Sequence, residues 1–512
     1  MNKNKQLAIN MAAQIIALGT NFLVSFFLTP YIINNIGSEA YGFVGLANNF
    51  ISYIIIITTA LNSMASRFIT INIHQEKYEE TNRYFTSVIF ANIIISIPVT
   101  IIGTLLIINL SSIVNVPENI LEDVTILWAL LLANFILDLI GNVFKVATFA
   151  KNRLELASLR NIESNVIKVS ILVVLFYFLK PSVWYLGLST LICGIYVIIT
   201  NIYYTKRLLP NIKIKKKYID LLKIKELVFS GIWNSLTNIS STLSTGLDLL
   251  ITNLFVGATA MGVVSLAKTL PTYVLSIFSM LSSVFAPQLT ISYAKNDYKE
   301  MKNQLIASIK ILGMLACIPM VFLYIYGKEF YNLWVPTQDG ELLQRLSILA
   351  CIEFPFVLPL ESLWNVFMVT NKVKQSSLFM FANALVSVTC VFILLQFANS
   401  DIQRMYIVVG VSAIISVIRG LTFLPIYGAR CLRLKWYTFF PIIIRNVFSI
   451  IVISLVAILV KRIIVINSWI TLIVTMIVIS CISLILNGFI LLSGNERIII
   501  KTKIKNIVRK NK

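Results

Sequence analysis

The segment Gly37-Ser38-Glu39-Ala40-Tyr41-Gly42-Phe43-Val44-Gly45-Leu46-Ala47 returns later as Gly257-Ala258-Thr259-Ala260-Met261-Gly262-Val263-Val264-Ser265-Leu266-Ala267. Six of the eleven positions are identical without a gap, at an offset of 220 residues. Tyr53 and Tyr273, then Ser63 and Ser283, continue the register. A chain that repeats itself at this distance is built from two related halves, and the fold follows from what each half contains.

Each half contains helices that cross a membrane. Hydrophobic residues make up 58% of the 512 positions and charged residues only 13%, with a mean hydropathy of +0.85. A soluble domain carries about 25% charged residues, and half that proportion cannot cover a water-exposed surface. Apolar runs long enough to cross a hydrocarbon core of roughly 30 Å are expected near 7–29, 43–63, 84–109, 123–148, 161–179, 184–205, 226–256, 259–291, 305–326, 341–369, 376–398, 403–426, 439–460 and 469–493. The fold class is therefore an all-α polytopic membrane protein of about fourteen transmembrane helices. The run over 259–291 exceeds one span and is expected to bend at Pro271 or to extend past the membrane beyond Pro287. The first run is too long for a signal peptide and lacks a small-residue cleavage site, so it is kept as a helix.

Lysine and arginine orient the spans, because cytoplasmic loops retain positive charge. With the N-terminus inside, cytoplasmic segments hold 31 of the 43, including eight between Lys206 and Lys225 and seven from Arg497 onward. The external loops hold five: Lys180, Lys328, Arg404, Lys461 and Arg462. All seven tryptophans fall in loops or near expected helix ends, as an interfacial belt requires. The net charge of +21 thus reads as an orientation signal with some attraction to anionic lipid, not as a nucleic-acid surface. The six cysteines lie in or beside apolar runs without paired spacing, and His74 is the single histidine, so neither a metal site nor a histidine-based triad is expected.

Six helices separate the two copies of the repeat, so both halves begin on the same side, as parallel repeats related by an axis along the membrane normal. The expected organisation is a six-helix lobe over 1–207, a basic linker over 208–225, a second six-helix lobe over 226–428, two further helices over 429–494 and a basic tail over 495–512. Polar residues recur with the repeat. Asn10, Gln14, Asn21 and Ser25 share one face of the first helix; Asn234, Asn238, Ser241, Thr245 and Asp248 do so in the seventh. Such stripes in lipid either hydrogen-bond neighbouring helices or line a wet cavity, and their recurrence in both halves favours a shared central cavity.

The segment ending Thr29-Pro30-Tyr31, the turn Gly37 to Gly42, and the pattern from Gly231-Ile232-Trp233-Asn234 through Asp248 to Gly257 and Met261-Gly262 resemble the MOP exporter superfamily, specifically its polysaccharide transporter branch. The resemblance implies a MATE-like fold of two six-helix lobes. It also implies translocation of undecaprenyl-pyrophosphate-linked oligosaccharide across the bacterial cytoplasmic membrane. Lipid II flippases usually carry several arginines in the first two helices, whereas only Arg67 stands here, at the end of the second. A cation-coupled drug exporter of the same fold is the other alternative.

Charges inside spans are costly and mark a pathway or a partner. Lys145, Lys310, Arg419 and Arg445 lie near cytoplasmic ends and are expected to snorkel, as is Arg345 near the outside. Asp138 shares a stripe with Asn134 and Asn142, and Lys168 follows Asn165. Asp248 and Lys268 stand at similar depth and could pair. Glu353 and Glu361 flank Pro355 and Pro359. On the family resemblance, Lys268 with Lys168 would attract the pyrophosphate, and Gln14, Asn21, Asn234 and Ser241 would hydrogen-bond sugars. Asp138, Asp248, Glu353 and Glu361 are the candidates for binding a coupling proton or Na⁺. The partners are the lipid-linked glycan, membrane lipids and that ion. No cofactor and no enzymatic activity are expected, since no Walker loop, metal cluster or Ser/His/Asp set exists.

Overall fold

The computed structural model describes residues 3–370, 372–494 and 496–498; the basic tail expected over 495–512 falls, apart from 496–498, outside the described residues. Helices and short connections account for all of the described chain, and no strand occurs among the described residues. Twelve helices are long and apolar enough to cross a bilayer, thirteen if Ser38–His74, bent by 66° between Ile56 and Thr58, counts as one span. The segment expected as the seventh span is helical but does not join this set. It consists of Leu221–Ser241, a π turn at Thr242–Gly246 and Asp248–Phe255, and its polar residues keep it below the apolarity of the rest.

The chain folds as two compact units, Met1–Ser265 with Ser377–Leu385, and Leu266–Ser376 with Val386–Lys512. In the first unit α1 (Lys3–Asn35), α2 (Ser38–His74), α3 (Tyr78–Ile108), α4 (Leu121–Gly141), α5 (Leu154–Phe178), α6 (Trp184–Leu208), α7 (Leu221–Ser241) and α8 (Asp248–Phe255) follow in order. α4 runs on through a 3₁₀ turn, Asn142–Lys145, into the short helix Val146–Ala150. A core of Leu61, Ile69, Phe85, Val88, Val143, Ala147 and Leu227 joins α2, α3, α7 and the end of α4. The linker is docked on α3: Asn82 Oδ1 accepts from the Lys213 N–H, and Ser87 Oγ from that of Asp220.

The repeated glycines are explained by backbone geometry. Gly37 (φ 104°) and Gly257 (φ 127°) adopt the left-handed region that side chains disfavour. Each closes a helix, its N–H bonding the carbonyl of Ile32 and Ile33 in one copy and of Thr252 in the other. The two copies then cross backbone to backbone. A methyl on Gly42 would lie 2.9 Å from the Gly262 nitrogen, and one on Gly262 would lie 2.2 Å from the Ser38 carbonyl oxygen. α7 approaches α2 as closely, since a methyl on Gly231 would sit 1.9 Å from the Ala60 oxygen.

In the second unit the run over 259–291 breaks between Ala258–Ser283 and Ala286–Ala294. Pro271 stays inside the first helix; the break at 284–285 lies just ahead of Pro287, which occupies the first turn of the next helix, where its missing N–H costs nothing. The 37-residue helix α11 (Tyr298–Trp334, with Ala258–Ser283 as α9 and Ala286–Ala294 as α10) is the axis of this unit. Leu305 and Ile309 on it pack with Leu289, Leu363, Phe367 and Phe439. Two C-terminal helices, Phe440–Ile463 and Trp469–Ile490, hold to α11 by polar contacts: Tyr326 donates to the Ala457 carbonyl at 2.8 Å, and Asn487 to that of Met314 at 3.3 Å. Aliphatic residues such as Ile108, Ile463 and Ile470 are exposed, as suits a lipid-facing surface.

Candidate functional site

Within the first unit, α2, α4, α5 and α6 enclose a cavity of about 1330 Å³. It is larger than the roughly 300–1,000 Å³ of a pocket for a drug-sized ligand. Polar side chains from all four helices reach its walls, set among apolar ones such as Ile55, Phe135, Leu139 and Val197. α2 contributes Asn62, Ser63, Ser66, Arg67 and Thr70; α5 contributes Arg160, Asn161, Ser164, Asn165 and Lys168, both at the three-and-four spacing of one helical face. α4 and its continuation add Asn134, Asp138, Asn142 and Lys145, and α6 adds Thr190 and Asn201. The cavity reaches Thr70 and Ile71 at one end of α2 and Thr148, Phe149 and Leu154 beside the connection at 151–153.

The balance of charge is positive. Four cations line the cavity, Arg67, Lys145, Arg160 and Lys168, against one acid, Asp138. Lys145 Nζ pairs with Asp138 Oδ1 at 2.6 Å. Arg160 pairs with Glu163 at 2.7 Å, and Tyr196 bridges them, bonded to both. Arg67 and Lys168 have no ion-pair or hydrogen-bond partner among the described residues. Buried polar atoms without a partner also gather here: Thr70 Oγ1, Asn134 Oδ1, Asn165 Nδ2 and Arg160 Nε. Each such atom costs about 1–3 kcal/mol, a cost that site function explains better than packing does.

The acids expected in the tenth helix lie in the second unit. There α12 (Gly340–Ala350) gives way to short pieces, Phe354–Val357, Leu358–Leu360 and Leu363–Val369, as Pro355 and Pro359 remove backbone donors. Glu353 Oε2 meets Arg419 Nη2 at 3.3 Å, with side chains only 15% and 14% exposed. Arg419 also acts electrostatically on Glu361, and Lys268 on Glu353. Asp248 is buried at the start of α8 in the first unit. It follows a π turn whose Gly246 carbonyl accepts from Asn49 and from the Tyr53 hydroxyl, both at 2.8 Å.

Three of the charges expected to snorkel have carboxylate partners. Lys145 pairs with Asp138, Lys310 with Glu496 at 2.7 Å, and Arg419 with Glu353.

Of the expected substrate residues, Lys168 and the acid Asp138 come together in the cavity. Gln14 and Asn21 are exposed on α1, and Ser241 is exposed at the end of α7; none of the three lines the cavity, nor does Lys268. Asn234 is half-buried and donates to Ser63 Oγ at 3.2 Å, and Asn238 to Thr59 Oγ1 at 2.9 Å. That part of the seventh-helix stripe thus binds α7 to the cavity wall of α2. Asn10 ties α1 to Asn152 at 3.0 Å.

The N-terminal 7–292, which contains the whole cavity, matches the family described as polysaccharide biosynthesis protein. The chain belongs to that family. A relative from Bacillus subtilis (strain 168), the uncharacterized membrane protein EpsK, is 27% identical over 480 residues, covering 93% of each chain. In fold the chain is similar to MATE transporters of the MOP superfamily. An inward-facing multidrug resistance member aligns with TM-score 0.62 at 14% identity, covering 84% of this chain and 98% of that one. An outward-facing one gives 0.61 at 14%, covering 83% and 96%. A MOP superfamily transporter from Pyrococcus furiosus, whose structure is described as having a binding pocket of reversed polarity, gives 0.61 at 15%, covering 84% and 97%. The protein is therefore a multi-pass membrane protein of the polysaccharide biosynthesis family, with a fold similar to that of MATE transporters.

Arg67 and Arg160 stand in the sequence among the cytoplasmic orientation charges and Lys145 among those expected to snorkel, so none of the three is expected there as a cavity residue. The signal is the polar face Asn62, Ser63, Ser66, Arg67 and Thr70, which begins in the expected span over 43–63 and continues past its end.

Proposed function

We propose that this protein moves undecaprenyl-pyrophosphate-linked oligosaccharide repeat units across the bacterial cytoplasmic membrane by alternating access, without catalysing a covalent reaction. The observation that carries this reading is the pair Arg67 and Lys168, without ion-pair or hydrogen-bond partners among the described residues, in a large cavity that amides and hydroxyls also line. A pyrophosphate cannot enter a low-dielectric core uncompensated, and two free cations would receive it. Asn62, Asn134, Asn161, Asn165 and Asn201 supply donors and acceptors for sugar hydroxyls.

The positive-inside bias puts the cavity end of the unit, and both termini, in the cytoplasm, so the substrate would enter from the leaflet where it is made. Asp138, Asp248, Glu353 and Glu361 are the candidates for a coupling proton or Na⁺, which acts only through different affinity for the inward and outward states. Lys268, Gln14, Asn21, Asn234 and Ser241 would meet the substrate later in the cycle. Four cations against one acid disfavour a cationic drug as cargo.

The deciding experiment reconstitutes the protein in vesicles and follows the leaflet of a fluorescent undecaprenyl-pyrophosphate-linked glycan. Translocation that falls at least tenfold in an Arg67→Ala, Lys168→Ala double variant supports the proposal. Equal rates in wild type, variant and empty vesicles sink it. Lipid II, run in parallel, separates the two lipid-linked cargoes.

A further inference from the structure

The same unit holds a second cavity of opposite character. Between α1 and α5 runs a groove of about 520 Å³, walled by Leu23, Phe27 and Tyr31 from one helix and Val169, Val173 and Tyr177 from the other. Both sets repeat every fourth residue, so each wall is a single helical ridge. Apart from the tyrosine hydroxyls no polar group lines it. The rings of Tyr31 and Phe176, 4.7 Å apart, cross between the walls.

Its position matters more than its composition. Lys168 belongs to the polar cavity, and Val169 and Leu172, the next residue and the next turn of α5, belong to the groove. A helical side chain leans toward the N-terminus of its helix, so Lys168 leans into the cavity while the groove begins behind it. From Lys168 to the end of α5 at Phe178 is about 15 Å at 1.5 Å per residue. A charged site and an apolar channel thus succeed one another along one helix.

We propose that this groove seats the first isoprenoid units of the lipid carrier whose phosphate binds in the polar cavity, an inference that rests on the function proposed above. Lipid tails are as apolar as the groove, so hydrophobicity alone selects no occupant there. A chain covalently joined to a head already held at Lys168 is presented at a high effective concentration and outcompetes free phospholipid chains. The groove thereby reads the carrier, while the cavity reads the head and its sugars.

Two probes test this on the purified full chain in nanodiscs: a long one, a disaccharide on undecaprenyl pyrophosphate, and a short one, the same head carrying a methyl group in place of every isoprene. Wild type is expected to bind the long probe about tenfold more tightly than the short one. Val173→Trp and Leu23→Trp fill the groove at positions that are 61% and 54% exposed and therefore tolerate bulk. Each should abolish the long-chain preference and leave short-probe affinity unchanged. A preference that survives both tryptophans, an equal loss for both probes, or a phospholipid still retained in the groove at saturating long probe overturns the proposal. Equal wild-type affinity for both probes overturns it while leaving the flippase reading intact. Failure of wild type to bind either probe removes that reading, and the groove's assignment with it.

Discussion

Lys145 Nζ lies 2.6 Å from Asp138 Oδ1, across the 3₁₀ turn that prolongs α4. The two side chains are 44% and 50% exposed, and both line the polar cavity. Each therefore sets how much of the other's charge a ligand feels, while the pair itself stabilises the fold little.

Opposite effects on anion binding should follow. Pairs this exposed contribute about 0.2–1 kcal/mol, so Asp138→Asn and Lys145→Met should each leave thermal unfolding in detergent nearly unchanged. Asp138→Asn should tighten binding of inorganic pyrophosphate by calorimetry, and Lys145→Met should weaken it. Changes of the same sign would show that the pair does not tune the cavity's potential.

Lys168 behaves differently because it has no partner among the described residues. A half-buried cation without compensation is a cost to the folded state, and its removal should not destabilise. Lys168→Met is expected to unfold at the same or a higher temperature than wild type while glycan translocation falls at least tenfold. A destabilised variant would mean that the lysine is structural.

The Glu353–Arg419 pair is a structural contrast. Removing one partner of a buried ion pair leaves the other uncompensated, at about 3–5 kcal/mol, whereas replacing both is far milder. Arg419→Met should therefore lower unfolding stability more than the Glu353→Gln, Arg419→Met double variant does. Additive losses in denaturant titrations would show that the two residues are not coupled.

Gly231 tests the approach of α7 to α2. A methyl there would overlap the Ala60 carbonyl, and overpacking of this kind costs about 1–3 kcal/mol. Gly231→Ala should lower the melting temperature measurably, and an unaltered melt would mean that the helices can separate at no cost.

How much of this was legible beforehand depended on the kind of signal. The spans were readable because twenty consecutive apolar residues have few other uses, and the repeat because Gly37 and Gly257 need a backbone that other residues resist. Asp138 and Lys168 were found as charges without an excuse. The destination of a polar stripe was harder. Asn234 and Gln14 have the same spacing in their helices, yet one bonds Ser63 and the other is exposed. Periodicity states that a face is polar, and only the neighbouring helix decides what that face meets. Arg419 shows the same limit, since its distance from a helix end said nothing of Glu353, 66 residues earlier in the chain.

The crossing of Gly42 over Gly262 ties the descendants of one duplicated segment into a mutual lock. A methyl group at Gly42 or at Gly262 would press on the backbone of the other copy, so each copy holds the other to glycine at this crossing.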